Sequence, residues 1–116
     1  MLEAVVACGL LLYLLVLAVP SIELLVMAGV VVTLVGLVGG GGAGLVYHIV
    51  LRSALLRLGA ETRGWLWSPV SRHAALDESA RRKVLPWFRL GAAGFFLCMA
   101  GIGMIAVAVL RATVAR

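Results

Sequence analysis

Charge is scarce in this chain: 13% of its 116 residues are Asp, Glu, Lys or Arg, against roughly a quarter in an ordinary soluble domain. That scarcity excludes a solvated globular surface, and an apolar content of 64% with a mean hydropathy of +1.16 shows what stands in its place. Cysteine is almost missing as well. Cys8 and Cys98 lie far apart in apolar runs without a C-x-x-C spacing, which excludes a zinc ribbon or a thioredoxin-like site and leaves them as small packing residues. There is no nucleophile motif, phosphate-binding loop, H-E-x-x-H or cluster with metal-ligand spacing, so no catalytic residue and no metal ligand is expected. Internal repeats and low-complexity tails are also lacking.

What is present is long uncharged sequence. Residues 4–21, 24–51 and 90–110 each contain no Asp, Glu, Lys or Arg, and a bilayer core needs about 20 helical residues to cross. Unbroken apolar runs of this length exclude a barrel, whose strands would alternate over about 10 residues. The expected fold is an all-α integral membrane protein, a single domain over residues 1–116, with spans near residues 2–19, 23–48 and 87–110. Val16-Leu17-Ala18 could imitate a signal cleavage site, but the preceding residues carry Glu3 and no Lys or Arg, so cleavage is not expected.

Charge sets the orientation. Eight of the ten basic residues fall in the loop 52–89, while the turn "PSIE" between the first two spans holds none. Cytoplasmic loops collect Lys and Arg, which puts the N-terminus in the cytoplasm and the C-terminus outside, with Arg111 and Arg116 as dissenting charges. Nine of the ten basic residues being Arg, together with the Ala, Val, Gly and Leu content, favours a bacterial inner membrane. The net charge of +5 is confined to a loop between spans, so anionic lipid headgroups rather than nucleic acid are its expected partners.

The stretch "VGLVGGGGAGLVYH", residues 35–48, places four consecutive glycines in the most apolar region. In hydrocarbon a flexible linker would strand its backbone polar groups, so the segment is expected to stay helical. At about 100° per residue, Gly29, Gly36 and Gly40 share one stripe with Gly44 at its margin, and Gly36, Gly40 and Gly44 form two overlapping G-x-x-x-G motifs. A packing groove is the expected use, with a kink or a bound lipid, pigment or cofactor near Gly41 as the alternative. The third span repeats the theme with Gly91, Gly94, Gly101 and Gly103, spread around the helix so as to touch neighbours on more than one side.

Local signals complete the outline. Ser21 is placed to cap the second helix, with Glu23 in its first turn, and that helix should run past Arg52 and stop at Gly59. Trp65, Trp67 and Trp87 are expected at the membrane interface, with Arg81, Arg82 and Lys83 as cytoplasmic anchors. Leu76, Ala80 and Val84 recur at i+4, and Asp77–Arg81 and Glu78–Arg82 are acid-before-base pairs, so a short amphipathic helix near residues 71–85 should lie along the membrane surface and end at Pro86.

His48, Arg72, His73 and Asp77 are the residues with chemistry to offer. "RHAALD" has the R-H-x-x-x-D spacing of the cytochrome b-type anchors of succinate dehydrogenase. There the motif sits inside a transmembrane helix and here it sits in a polar loop, so haem ligation is not carried over to His73. His48, at a membrane boundary beside Tyr47, is the candidate for binding a haem or quinone. The leading expectation is a non-catalytic accessory subunit packing through Gly29, Gly36, Gly40, Gly44, Gly94 and Gly101 against other integral membrane subunits, without a small-molecule substrate. The alternatives are a haem- or quinone-associated anchor of a redox complex and a small homo-oligomeric channel, transporter or holin-like pore.

Overall fold

The computed structural model describes residues 1–18 and 20–115. Helix α1 spans Leu2–Ala18, α2 spans Ile22–Arg57, a 3₁₀ turn covers Val70–Ala75, and α3 spans Glu78–Val114; there is no strand among the described residues. At 36 and 37 residues, α2 and α3 are long and apolar enough to cross a membrane. Helix α1 is also apolar but has 17 residues, which reach about 26 Å.

The chain forms two compact units. The first comprises Met1–Leu34 and Leu97–Arg116. Its buried centre is Leu25, Met104 and Ala108, ringed by Tyr13, Leu17, Ile22 and Val32. Ser21 Oγ accepts the Leu24 N–H at 3.2 Å, as its place before the helix foretells. Gly29 of α2 and Gly101 of α3 pack backbone to backbone: a Cβ on Gly101 would lie 2.5 Å from Thr33 N and 2.7 Å from the Gly29 carbonyl. Gly103 faces another neighbour, since a Cβ there would meet the Tyr13 hydroxyl at 2.5 Å, so within this unit α3 uses glycines on two sides. The Tyr13 hydroxyl donates to the Ala100 carbonyl at 2.8 Å.

Arg111 has a local role here. Its guanidinium donates to the carbonyls of Leu17, at 3.2 Å, and Pro20, at 2.9 Å. The last carbonyls of a helix have no partner within it, and a cation suits the negative end of its dipole. An arginine that sits awkwardly with the charge asymmetry is therefore accounted for as the cap of α1.

The second unit is Val35–Phe96. Helix α2 runs unbroken through Gly39, Gly40, Gly41 and Gly42, so the run is not a linker. Gly40 lies against Gly94: a Cβ on Gly40 would come within 2.8 Å of the Gly94 Cα. Gly36 contributes its carbonyl to the same contact, 3.0 Å from a Cβ on Gly94, whereas a Cβ on Gly39, Gly41, Gly42 or Gly44 would meet nothing within 4 Å. Nearer the loop, Tyr47, Leu51, Ala54 and Leu55 of α2 bury against Leu76, Ala80 and Val84.

Two expectations change in this unit. The segment assigned to an interfacial helix at residues 71–85 is instead a 3₁₀ turn, a break at Leu76 and Asp77, and then the start of α3, which continues through Pro86. Its apolar stripe faces α2 rather than lying along the membrane surface, because α2 extends to Arg57 and offers Leu51, Ala54 and Leu55 as a wall. Pro86 does not end the helix: it is exposed, so the carbonyl its ring leaves without a helical donor can be solvated.

Candidate functional site

The second unit gathers the two histidines of the chain with Tyr47, Trp65 and Phe88. Tyr47 and His48 are consecutive on α2 and so diverge by about 100°. Tyr47 turns inward, 4% exposed, and His48 turns toward Trp65 with ring centroids 5.6 Å apart. The His48 Nδ1–H donates to the Gly44 carbonyl one turn back at 2.8 Å, which leaves Nε2 as the nitrogen with a lone pair in the neutral ring.

The loop brings the second histidine in. After Arg57, the last residue of α2, the chain turns off at Gly59, whose φ of 64° suits a residue without Cβ, with Ala60 N–H donating to Leu55 O and Gly59 N–H to Leu56 O. Ala60 then packs on the apolar cluster that includes Leu55. A second reversal at Gly64, φ 72°, is closed by the Trp65 N–H donating to the Thr62 carbonyl. Arg72 fastens this loop by donating to the Arg63 carbonyl and lying 3.9 Å from the Glu61 carboxylate.

His73 thereby reaches Tyr47: the phenol oxygen and Nε2 are 2.7 Å apart. Both rings also meet Phe88 of α3, at centroid distances of 5.4 Å for Tyr47 and 5.3 Å for His73. Burial first, and then the positive charge of Arg81, hold the His73 pKa below its ordinary value of 6.5, so the imidazole is neutral at pH 7. The phenol donates to Nε2 in one tautomer and accepts from it in the other. The bond satisfies two polar groups inside an apolar cluster and ties loop to helix.

The other expected residues scatter. Asp77 caps α3, accepting the Ala80 N–H at 2.7 Å, and does not pair with Arg81; Glu78 does pair with Arg82, at 3.1 Å. Trp65 is half-buried, while Trp67 and Trp87 are exposed, as are Arg81, Arg82 and Lys83. Among the described residues no three His, Cys, Asp or Glu side chains stand close enough to share a metal ion.

The Tyr47–His73 bond was not legible in the sequence. It joins positions 26 residues apart, and the signal for it, an aromatic at the end of an apolar helix and a histidine after a loop, is common to many unrelated sequences. Comparison of the chain with known protein families, curated proteins and solved structures finds no match in any of the three.

Proposed function

We propose that the chain is a non-catalytic accessory subunit of a larger inner-membrane complex, crossing the bilayer three times with its N-terminus in the cytoplasm and its C-terminus outside. The observation that carries this reading is α1: seventeen residues, apolar on every face, with none buried within the chain. A helix apolar all round needs lipid or protein about it. The open glycines of α2 add to this, because a Cβ on Gly39, Gly41 or Gly42 would meet nothing within 4 Å, and small residues on a membrane helix let a second backbone come close. By contrast Gly29, Gly40, Gly94 and Gly101 are engaged within their own units and are not the surface offered to a partner.

The test is native mass spectrometry of the gently solubilised particle. Co-migration with larger integral membrane proteins supports the reading, and a particle made of this chain alone refutes it in favour of a self-assembling pore or transporter. Cysteines introduced at Gly39 and Gly42 should cross-link to a partner rather than within the chain.

A second reading, a haem- or quinone-associated anchor, draws on one feature. Histidines that ligate metals commonly donate their other ring N–H to a carbonyl, and His48 does so to Gly44. A purified complex with no haem absorbance and unchanged quinone turnover in His48→Ala would dismiss it.

A further inference from the structure

A cleft of about 430 Å³ opens on the loop side of α2, lined by Ile49, Arg52, Ser53, Leu56, Arg57 and Trp65. Taking Arg52 as the origin and advancing about 100° per residue, Leu56 falls near 40°, Ile49 near 60°, Ser53 near 100° and Arg57 near 140°. Two guanidinium groups therefore flank an apolar strip that carries one hydroxyl, and Trp65 comes across from the loop, positioned by its contact with His48.

The two arginines are uncommitted. The ion pairs among the described residues are Arg72–Glu61 and Arg82–Glu78, and neither Arg52 nor Arg57 donates a hydrogen bond to any described residue. Asp77, which shares a smaller cavity of about 130 Å³ with Arg57 and Lys83, has an oxygen committed to the Ala80 N–H. The cleft also begins where the uncharged run of α2 gives way to charge, since Ile49 lies within that run and Arg52 directly follows it.

We propose that this cleft binds an anionic phospholipid, its phosphate between Arg52 and Arg57 with Ser53 as a further donor, and the start of an acyl chain along Ile49 and Leu56 under the Trp65 ring. Each part of the cleft matches one part of that ligand. Guanidinium groups bind phosphate oxygens through paired N–H donors, a tryptophan ring belongs at headgroup depth, and a purely ionic ligand would have no use for Ile49 and Leu56. The inference rests on the reading that α2 crosses a bilayer.

The experiment uses the full chain in mild detergent and counts bound lipid by native mass spectrometry against phosphatidylglycerol and phosphatidylcholine of matched chains. A parallel arm adds millimolar inorganic phosphate, and another measures retention of the chain in phosphatidylcholine vesicles after alkaline extraction. The wild type should prefer phosphatidylglycerol. Arg52→Gln with Arg57→Gln should weaken that lipid by about 25-fold, roughly fivefold for each arginine, while Arg81→Gln with Arg82→Gln leaves it within about twofold. Equal loss in both double variants would show a diffuse basic field and overturn the site. Displacement of the lipid by inorganic phosphate would make it a free-anion site and overturn the lipid assignment. Extraction of the chain from the vesicles would defeat the membrane reading itself, whereas retention without headgroup preference would defeat the site alone. All six lining residues except Trp65 lie on one regular helix and both arginines are exposed, so the variants keep the fold, which far-ultraviolet ellipticity verifies.

Discussion

A single added methyl group should have opposite effects at adjacent glycines. At Gly94 a Cβ would press on the Gly40 Cα and stand 2.6 Å from Gly40 N and 3.0 Å from the Gly36 carbonyl. Comfortable contacts between non-bonded heavy atoms lie near 3.5–4.0 Å, so α2 and α3 would have to part by about 1 Å at this point. Overpacking costs about 1–3 kcal/mol, and the upper end applies because every obstacle is backbone, with no side chain free to rotate away. Replacing a helical glycine by alanine returns about 1 kcal/mol of propensity, leaving Gly94→Ala about 2 kcal/mol less stable. Gly40→Ala meets Gly94 Cα at 2.8 Å and should behave alike. Gly41→Ala meets nothing within 4 Å, so it should gain about 1 kcal/mol, a separation of about 3 kcal/mol between neighbouring positions of one run. Unfolding in mixed micelles with increasing denaturing detergent, followed by helical ellipticity, measures this difference. Shifts of the same sign and size at Gly40, Gly41 and Gly94 would refute the close approach of the two backbones.

The remaining predictions concern the loop. His73 is neutral where it docks, with its pKa held below 6.5, so the stability it lends is full above about pH 6.5 and is lost as pH falls below that value, where the unfolded loop binds the proton first; amide exchange over residues 70–76 should quicken on acidification, and Tyr47→Phe should loosen the same amides by about 1 kcal/mol. Gly59→Ala places a Cβ in the left-handed region with open space around it, so its cost of about 1–2 kcal/mol is purely conformational, and Gly59→Asn should recover part of it in the same unfolding assay. Asp77→Ala removes the cap of α3 and should cost about 1 kcal/mol, with Asp77→Ser restoring most of it.

Features fixed within one or two helical turns were legible from sequence. Ser21 as a cap, the stop at Gly59, the Glu78–Arg82 pair and the Leu76, Ala80 and Val84 stripe all follow from spacing along a helix, and the structure contains each of them. Gly36 and Gly40 share the stripe that meets Gly94. What spacing does not contain is the partner of a surface. By its own spacing the Leu76, Ala80 and Val84 stripe reads as a surface contact, and it packs instead on the wall that α2 offers at Leu51, Ala54 and Leu55. Pro86 reads as a terminator by its own chemistry, yet α3 runs through it at an exposed position. The i+4 spacing pairs Asp77 with Arg81, whereas the break at Leu76 makes Asp77 the cap of α3 instead. His73 could not be joined to Tyr47 without knowing how the loop closes.

The Gly40–Gly94 contact also constrains how damage to this chain can be repaired. In a core built from side chains, an enlarged residue can be accommodated when a facing one is trimmed, and second-site suppressors arise that way. Here the facing residue is another glycine with nothing left to remove. Revertants of Gly94→Ala should therefore be true reversions, or distant changes that strengthen Tyr47, Leu51 and Val84 enough to bear a wider helix spacing.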